Sequence, residues 1–78
     1  MSVNVTFVNN SDKTIDVYGV DYECNQQLYA TLAPRGTEGD SHVQGTFATH
    51  PWVFIDAETG EVLKEFVAGT VDEEVTIP

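Results

Sequence analysis

The residues best suited to chemistry lie in one stretch, Thr46 to Asp56, which holds the only tryptophan and one of the two histidines. His50 offers an imidazole that can donate or accept a hydrogen bond, and Trp52 offers a large aromatic face. Such a pair could bind a ligand, with the imidazole bonding a polar group and the indole packing on an apolar one. It could equally be structural, with Trp52 in the core and His50 at the end of a strand. Residue types alone leave both interpretations open.

The candidate metal ligands are Cys24, His42 and His50. Their spacing matches no zinc motif, and Cys24 lies in a different predicted turn from the two histidines. We therefore predict no metal site and no cofactor.

A hydrolytic site would have to combine His50 with Asp56 or Ser41. The chain has no Gly-x-Ser-x-Gly motif, in which a strained turn exposes a nucleophilic serine. We predict no catalytic residue and a protein that is not an enzyme. A small hydrolase or metal-binding protein that uses His42 or His50 stays as an alternative.

Length and charge narrow the classes of function. The 78 residues predict a single domain over 1–78, and 41% apolar residues are typical of a globular chain. The net charge of −10 has the wrong sign for binding nucleic acid or an anionic membrane. The simplest interpretation of this charge is that it keeps the protein soluble, and the alternative is a preference for a basic partner. One cysteine, no basic leader and no long apolar run predict a cytoplasmic monomer without disulfides.

The hydrophobic pattern predicts an all-β fold, because short segments alternate with period two and no segment has a helical period. Residues 52–55 form a continuous apolar run, which predicts a central strand buried on both faces. We predict a seven-stranded antiparallel β-sandwich with strands at 3–9, 14–22, 27–32, 46–49, 51–56, 61–67 and 71–77. The predicted core residues are Val5, Phe7, Leu32, Phe54 and Ile55.

Three features depart from a simple strand pattern. Gly19 lies inside the second predicted strand, which indicates a bulge or a close contact with another group. Cys24 falls in a predicted turn and should be exposed. The polar, glycine-containing segment 37–45 predicts a long loop or an irregular strand.

The segments share their order and spacing with a known family over residues 5–67. The matching segments are Phe7-x-Asn9-x-Ser11, Tyr18-x-Val20-Asp21-Tyr22, Tyr29-Ala30-Thr31-Leu32-Ala33-Pro34 with Gly36, and His50-Pro51-Trp52-x-Phe54-x-Asp56. They resemble the β-domain of the von Hippel-Lindau family. The resemblance implies a prealbumin-like seven-stranded β-sandwich and a protein or peptide partner, with a hydroxyproline-containing peptide bound in extended form.

The resemblance also implies site residues. Tyr29, His50 and Trp52 match the family's hydroxyproline pocket, and Thr46 replaces its serine with another hydroxyl. Gly19 stands where the family has a tryptophan, so the pocket is altered. The predicted neighbours of the site are Tyr18, Arg35, His42 and Phe47.

The departures from the family pattern cluster at Gly19, Cys24 and 35–45. Natural divergence of loops would give this clustering. An engineered scaffold, with a selected loop surface on a retained framework, would give it too and stays as an alternative. From the resemblance we expect a non-enzymatic peptide-binding module.

Overall fold

The computed structural model describes residues 2–21 and 23–78, which form seven strands in two sheets and no helix. This confirms the all-β prediction, and nothing in the described ranges is a helix able to cross a membrane. In chain order the strands are β1 Ser2–Asn9, β2 Ile15–Val20, β3 Gln26–Leu32, β4 Ser41–Phe47, β5 Pro51–Asp56, β6 Val62–Val67 and β7 Glu73–Ile77.

The first sheet has the strand order β4-β1-β7 and the second has the order β3-β2-β5-β6. All pairs in the second sheet are antiparallel, whereas β1 is antiparallel to β4 and parallel to β7. The prediction of a wholly antiparallel sandwich is therefore wrong for the first sheet, which is mixed. The parallel pair arises because the chain leaves β6 and crosses to the first sheet at the end where β1 begins, so β7 runs in the same direction as β1.

The core lies between the two sheets and begins with the alternation in β1. Val3, Val5 and Phe7 are buried, as their period of two predicts. The Phe7 ring lies edge-on to Phe54, with centroids 5.0 Å apart, and 5.4 Å from Trp52. These aromatic contacts join β1 of the first sheet to β5 of the second.

The central strand β5 lies between β2 and β6, as its apolar run predicts. Trp52 and Phe54 point into the core, whereas Val53 and Ile55 lie on the outer face. The prediction that Ile55 is a core residue is wrong, because successive side chains of a strand alternate between faces. Val53 is buried by its neighbours on the outer face and does not belong to the core.

The largest error in strand position concerns β4. Of the two predictions for segment 37–45, the strand is correct from Ser41 onward, because β4 begins there and pairs with β1 along its whole length. Its apolar signal is weak because two inward positions, His42 and Gln44, are polar and only half-buried at the sheet edge. The extended pattern predicted over 46–49 ends at Phe47 and gives way to a turn.

Two other strand ends differ from prediction. β7 begins at Glu73 and leaves Val71 exposed. β2 ends at Val20, and its predicted end, Tyr22, lies outside the described residues.

The two ends of the sheets differ in their connections. At one end, called the Asn9 end, the buried Asn9 side chain donates to the carbonyl oxygens of Lys13 and Ala33 at 2.6 and 2.9 Å. These bonds tie together the loops that follow β1 and β3. The opposite end, called the His50 end, contains the start of β5 and the end of β2.

Candidate functional site

Tyr29 owes its position to an irregularity in the β2–β3 ladder. Val17 pairs with Ala30 and Tyr18 pairs with Leu28, so Tyr29 is an extra residue without a partner across the ladder. An extra residue of this kind is a β-bulge, which redirects a side chain away from the regular pleat. Gly19 itself pairs regularly with Gln27, so it does not mark a bulge in β2, and the extra residue lies on β3.

The redirected Tyr29 joins four other residues at the His50 end. Its ring meets Trp52 edge-on, with centroids 4.9 Å apart, and the His50 ring lies 4.9 Å from the same indole. Gly19 pairs with Trp52 in the β2–β5 ladder. Together with Thr46, these residues form what we call the His50 cluster: Gly19, Tyr29, Thr46, His50 and Trp52.

Thr46 and Trp52 connect the two sheets through a hydrogen bond. The indole Nε1–H donates to the Thr46 hydroxyl at 3.2 Å, and both side chains are buried. Trp52 is 1% exposed, so it is a core residue, as the structural interpretation requires. The Thr46 hydroxyl accepts from the indole, so its own proton can still be donated to another group.

The backbone N–H and C=O groups of His50 both form hydrogen bonds. Its N–H donates to the carbonyl of Phe47 at 3.1 Å, and its carbonyl accepts from Ala68 at 3.0 Å. Thr49, just before it, has φ of 71°, which is strained for a β-branched residue. The ring Nδ1 is buried and has no hydrogen-bond partner in the described structure. Buried polar atoms are normally paired, so this nitrogen is the unsatisfied group of the cluster.

Gly19 leaves room for the side chains of Tyr29 and His50 in the cluster. A Cβ atom at this position would lie 2.5 Å from Cε2 of Tyr29 and 3.0 Å from Cε1 of His50. The predicted close contact at Gly19 is therefore present. The Tyr29 ring occupies the space that a side chain at position 19 would need, although Tyr29 is itself 44% exposed.

The four predicted neighbours of the site lie in different places. Phe47 is exposed on the outer face of β4, close in sequence to the cluster. His42 shares the inward row of β4 with Thr46, but its Nε2 bonds Gln44 Oε1 at 2.9 Å.

The structure does not bring the other two neighbours to the cluster. Tyr18 lies on the outer face of the second sheet, because its side chain alternates with those of Val17 and Gly19. Arg35 lies at the Asn9 end, where its N–H donates to the carbonyl of Ser11.

The described residues do not assemble the alternative sites. Within residues 2–21 and 23–78 no three His, Cys, Asp or Glu side chains gather in a way that could hold a metal ion. His50 precedes β5 and Asp56 ends it, so these two residues lie at opposite ends of the strand. Ser41 pairs with Val8 near the Asn9 end, also away from His50. Cys24 is exposed, as the turn prediction requires.

A small cavity lies beside His50, and the sequence does not predict it. It has a volume of about 190 Å³ and is lined by Val20, Asp21, Thr49, His50 and Pro51. Of these residues only His50 is a candidate site residue in the sequence analysis. The others converge because the turn before β5 packs beside the end of β2, which no local pattern indicates.

The described residues form a small two-sheet β-domain with a cluster of aromatic residues and a histidine at one end. Comparison with known sequences identifies the family. The model of the VHL beta domain family matches residues 1–70, and the chain belongs to this family. It is also 36% identical over 61 residues to Protein Vhl of Drosophila melanogaster. That match covers 78% of this chain and 32% of the fly protein, so this chain corresponds to a minor part of that relative's length.

Proposed function

We propose that this domain is a non-enzymatic module that binds an extended peptide of a partner protein, with hydroxyproline as the anchor at the His50 cluster. Membership of the VHL beta domain family supports the class of function. The observation that carries the anchor is the buried Nδ1 of His50, which lacks a hydrogen-bond partner. A ligand that donates a hydrogen bond to this nitrogen would remove the penalty of leaving it unpaired.

The cluster has the groups needed to recognise a hydroxyl on a five-membered ring. In the tautomer that protonates Nε2, His50 Nδ1 accepts the proton of the ligand hydroxyl. The Thr46 hydroxyl, which already accepts from Trp52, donates its proton to the same ligand oxygen. Trp52 packs against the ring carbons. Plain proline would leave both polar groups unpaired, which is the basis for discrimination.

The sheet edges offer a place for the rest of the peptide. β4 is the edge strand of the first sheet, and β3 is the edge strand of the second on the same side of the molecule. The backbone groups on the outer edge of β4 can pair with an extended peptide, which would add a strand. Phe47 ends β4 and is 62% exposed, so it can pack against that peptide beside the cluster.

The site is weakened at one wall. Gly19 has no side chain, and the Tyr29 ring has moved into its space. Binding therefore requires the Tyr29 ring to rotate outward. The bound ligand then has no aromatic group against it on the side of Gly19. We expect the affinity to be lower by roughly 2–4 kcal/mol than in a site where that wall is a tryptophan hot spot.

The test is calorimetry and NMR titration with paired peptides that differ only in proline or hydroxyproline. We expect weak binding of the hydroxyproline peptide, with shifts at His50 and the Trp52 indole, and less binding of the proline peptide. His50→Phe keeps the contact with Trp52 but removes the acceptor, so it should abolish the preference for the hydroxyl. Equal binding of both peptides, or no response at His50 with either peptide, would reject the proposal.

A second pair of variants tests the missing wall. Gly19→Trp adds an aromatic group and should tighten hydroxyproline binding. Gly19→Ala displaces Tyr29 without adding a wall and serves as its matched control. Equal affinities of the two variants would show that the wall is not the limiting feature.

A further inference from the structure

The outer face of the second sheet is unusually apolar. The register places Leu28, Tyr18 and Val53 side by side across three strands, and Ile55 lies opposite Val62. Val67 lies opposite Pro51 in the next row. All these side chains alternate with those that point into the core. We call this surface the outer apolar face: Tyr18, Leu28, Val53, Ile55, Val62 and Val67.

This face is not part of the core and no described strand covers it. Val53 is buried, yet it packs outside the core cluster. Leu28, Val62 and Val67 are 52%, 49% and 59% exposed. The face is largely apolar, with Asp16 and Glu65 among its apolar side chains, and exposed apolar surface of this kind marks an interaction site.

The cavity lies at the His50 end of this face. Two of its walls, Val20 and Pro51, belong to the same outer rows of β2 and β5. Asp21 stands at its rim, and its Oδ1 accepts the N–H groups of Glu23 and Asn25, each at 2.9 Å. These bonds fix the carboxylate, so its second oxygen can meet a cation. The cavity therefore combines an apolar wall with an anchored negative charge.

The charges around the face have one sign. Asp16 and Glu65 lie on the face itself, and Asp21 lies at its end. The basic side chains lie elsewhere: Lys13 meets Asp56, Arg35 is at the Asn9 end, and Lys64 reaches Thr76 of the first sheet. With a net charge of −10, two copies of this chain repel one another, whereas a basic partner is attracted.

We propose that the outer apolar face docks a segment of a partner protein in which apolar residues are flanked by lysine or arginine. One lysine or arginine side chain enters the cavity, with its aliphatic stem along Val20 and Pro51 and its cation at Asp21. The long side chains of lysine and arginine suit such a site because their stems are apolar and only their heads are charged. The apolar rows of the face lie on the opposite side of the second sheet from Trp52, and the cavity shares only His50 with the His50 cluster.

The experiment is an NMR titration of the domain with a short synthetic peptide built of leucine and lysine pairs. Two matched peptides replace either the lysines by glutamates or the leucines by serines. We expect shifts at Leu28, Val53 and Val67 with the leucine–lysine peptide alone, and weaker binding as salt is added. Leu28→Glu and Val67→Glu should each weaken binding about tenfold, as loss of a central apolar contact does.

Two further variants locate the charge and provide the control. Asp21→Asn keeps an acceptor for the two N–H groups and should weaken binding about 2–5-fold, the range for one exposed ion pair. Val43→Glu introduces the same charge at a 62% exposed position on the outer face of the first sheet and should not weaken binding. Circular dichroism of each variant checks that the fold is retained.

Several outcomes would overturn the proposal. If general charge attraction explained binding, Leu28→Glu would bind the basic peptide as well as wild type does. Equal binding of the glutamate-containing peptide would exclude a basic partner. A dimer in light scattering that Val67→Glu dissociates would show that a second copy occupies the face instead.

Discussion

The Tyr29 ring lies directly over Gly19. A Cβ atom added at position 19 would lie only 2.5 Å from Cε2 of Tyr29. The bulge in β3 directs Tyr29 to this point, and the edge contact with Trp52 holds the ring there. The inward position of Tyr29 therefore depends on the absence of a side chain at Gly19. The Tyr29 ring fills this space beside His50.

Gly19→Ala should displace Tyr29 with little loss of stability. The aromatic contact with Trp52 is worth about 0.5–1.5 kcal/mol, while removing a glycine from a strand returns roughly 0.5–1 kcal/mol. We expect the free energy of unfolding to fall by less than about 1 kcal/mol. The change in Tyr29 should be visible as altered near-UV circular dichroism and shifted Trp52 indole signals.

The control for this substitution is Gly36→Ala, at an exposed turn with φ of 80° where no atom lies within contact distance of an added Cβ. It should leave the Trp52 signals unchanged, although its left-handed backbone makes alanine unfavourable. Unchanged Trp52 signals in Gly19→Ala would show that Tyr29 does not rest over Gly19 in solution.

Phe54→Ala should unfold the domain or bring it close to unfolding. Phe54 is fully buried and contacts Phe7 across the core, and such a truncation costs about 3–5 kcal/mol. A chain of this size has a total stability of roughly 4–12 kcal/mol. Urea denaturation measures the loss, and Val43→Ala at an exposed position should change stability by less than about 0.5 kcal/mol. A Phe54→Ala protein as stable as wild type would contradict the assigned core.

The sequence predicts those strands whose residues alternate strongly or are apolar throughout. Val3, Val5 and Phe7 show their shared face directly, and the run Trp52 to Ile55 shows a central strand. β4 is predicted only as an irregular strand or loop followed by a short extended stretch, because edge strands need not carry a strong apolar row. The parallel pairing of β1 with β7 was missed because strand direction depends on where the chain crosses between sheets, which local patterns do not record.

The candidate site was predictable to a different degree at each residue. Thr46, His50 and Trp52 lie within seven positions of one another, so a single stretch reveals them. Tyr29 is distant in sequence, and only the family resemblance pointed to it. Arg35 is one of the neighbours that the resemblance implies, but the β3–β4 connection that contains it lies at the Asn9 end. Long-range geometry of this kind requires a structure.

The stability of the domain should depend on the ionisation of Asp56. The N–H of Glu58 donates to its Oδ1 at 2.9 Å and is the main cause that lowers the pKa of Asp56 below 3.8. The Thr59 hydroxyl and Lys13, 3.8 Å away, lower this pKa further, against the effect of desolvation.

A carboxylate whose pKa is lowered by folding stabilises the native state above its unfolded pKa, and this stabilisation is lost as the pH falls through the folded pKa. Asp56→Asn should therefore be less stable than wild type near neutral pH, and the two curves should converge as the pH falls through the lowered pKa of Asp56. Denaturation across this pH range tests the difference, with Asp12→Asn at an exposed position as the control. A gap that does not close in acid would assign the loss to packing and not to charge.

Cys24 should react rapidly with a thiol reagent in the native protein. It is exposed and lies in a turn with φ of 64°, where its backbone N–H bonds the carbonyl of Asp21. Mass spectrometry after brief labelling should show complete modification without denaturant, and Cys24→Ser should remain unmodified. Labelling that requires unfolding would contradict the exposed position of the thiol.

Thr46→Val should isolate the role of the hydrogen bond between the two sheets. Valine nearly matches threonine in shape but cannot accept from the Trp52 indole, which then has a buried N–H without a partner. We expect a loss of about 1–3 kcal/mol in the free energy of unfolding. Exchange of the indole proton with solvent, followed by NMR, should also become faster.

Thr46→Ser is the matched control because it keeps the hydroxyl and removes only a methyl group. It should keep slow indole exchange and lose roughly 1 kcal/mol, the value of one buried carbon. If the valine variant were as stable as wild type while the serine variant lost stability, packing at Thr46 would matter and the hydrogen bond would not. Only the valine variant leaves the Trp52 N–H without a partner. The link between β4 and β5 should then weaken in that variant alone, at the position where the peptide ligand is proposed to bind.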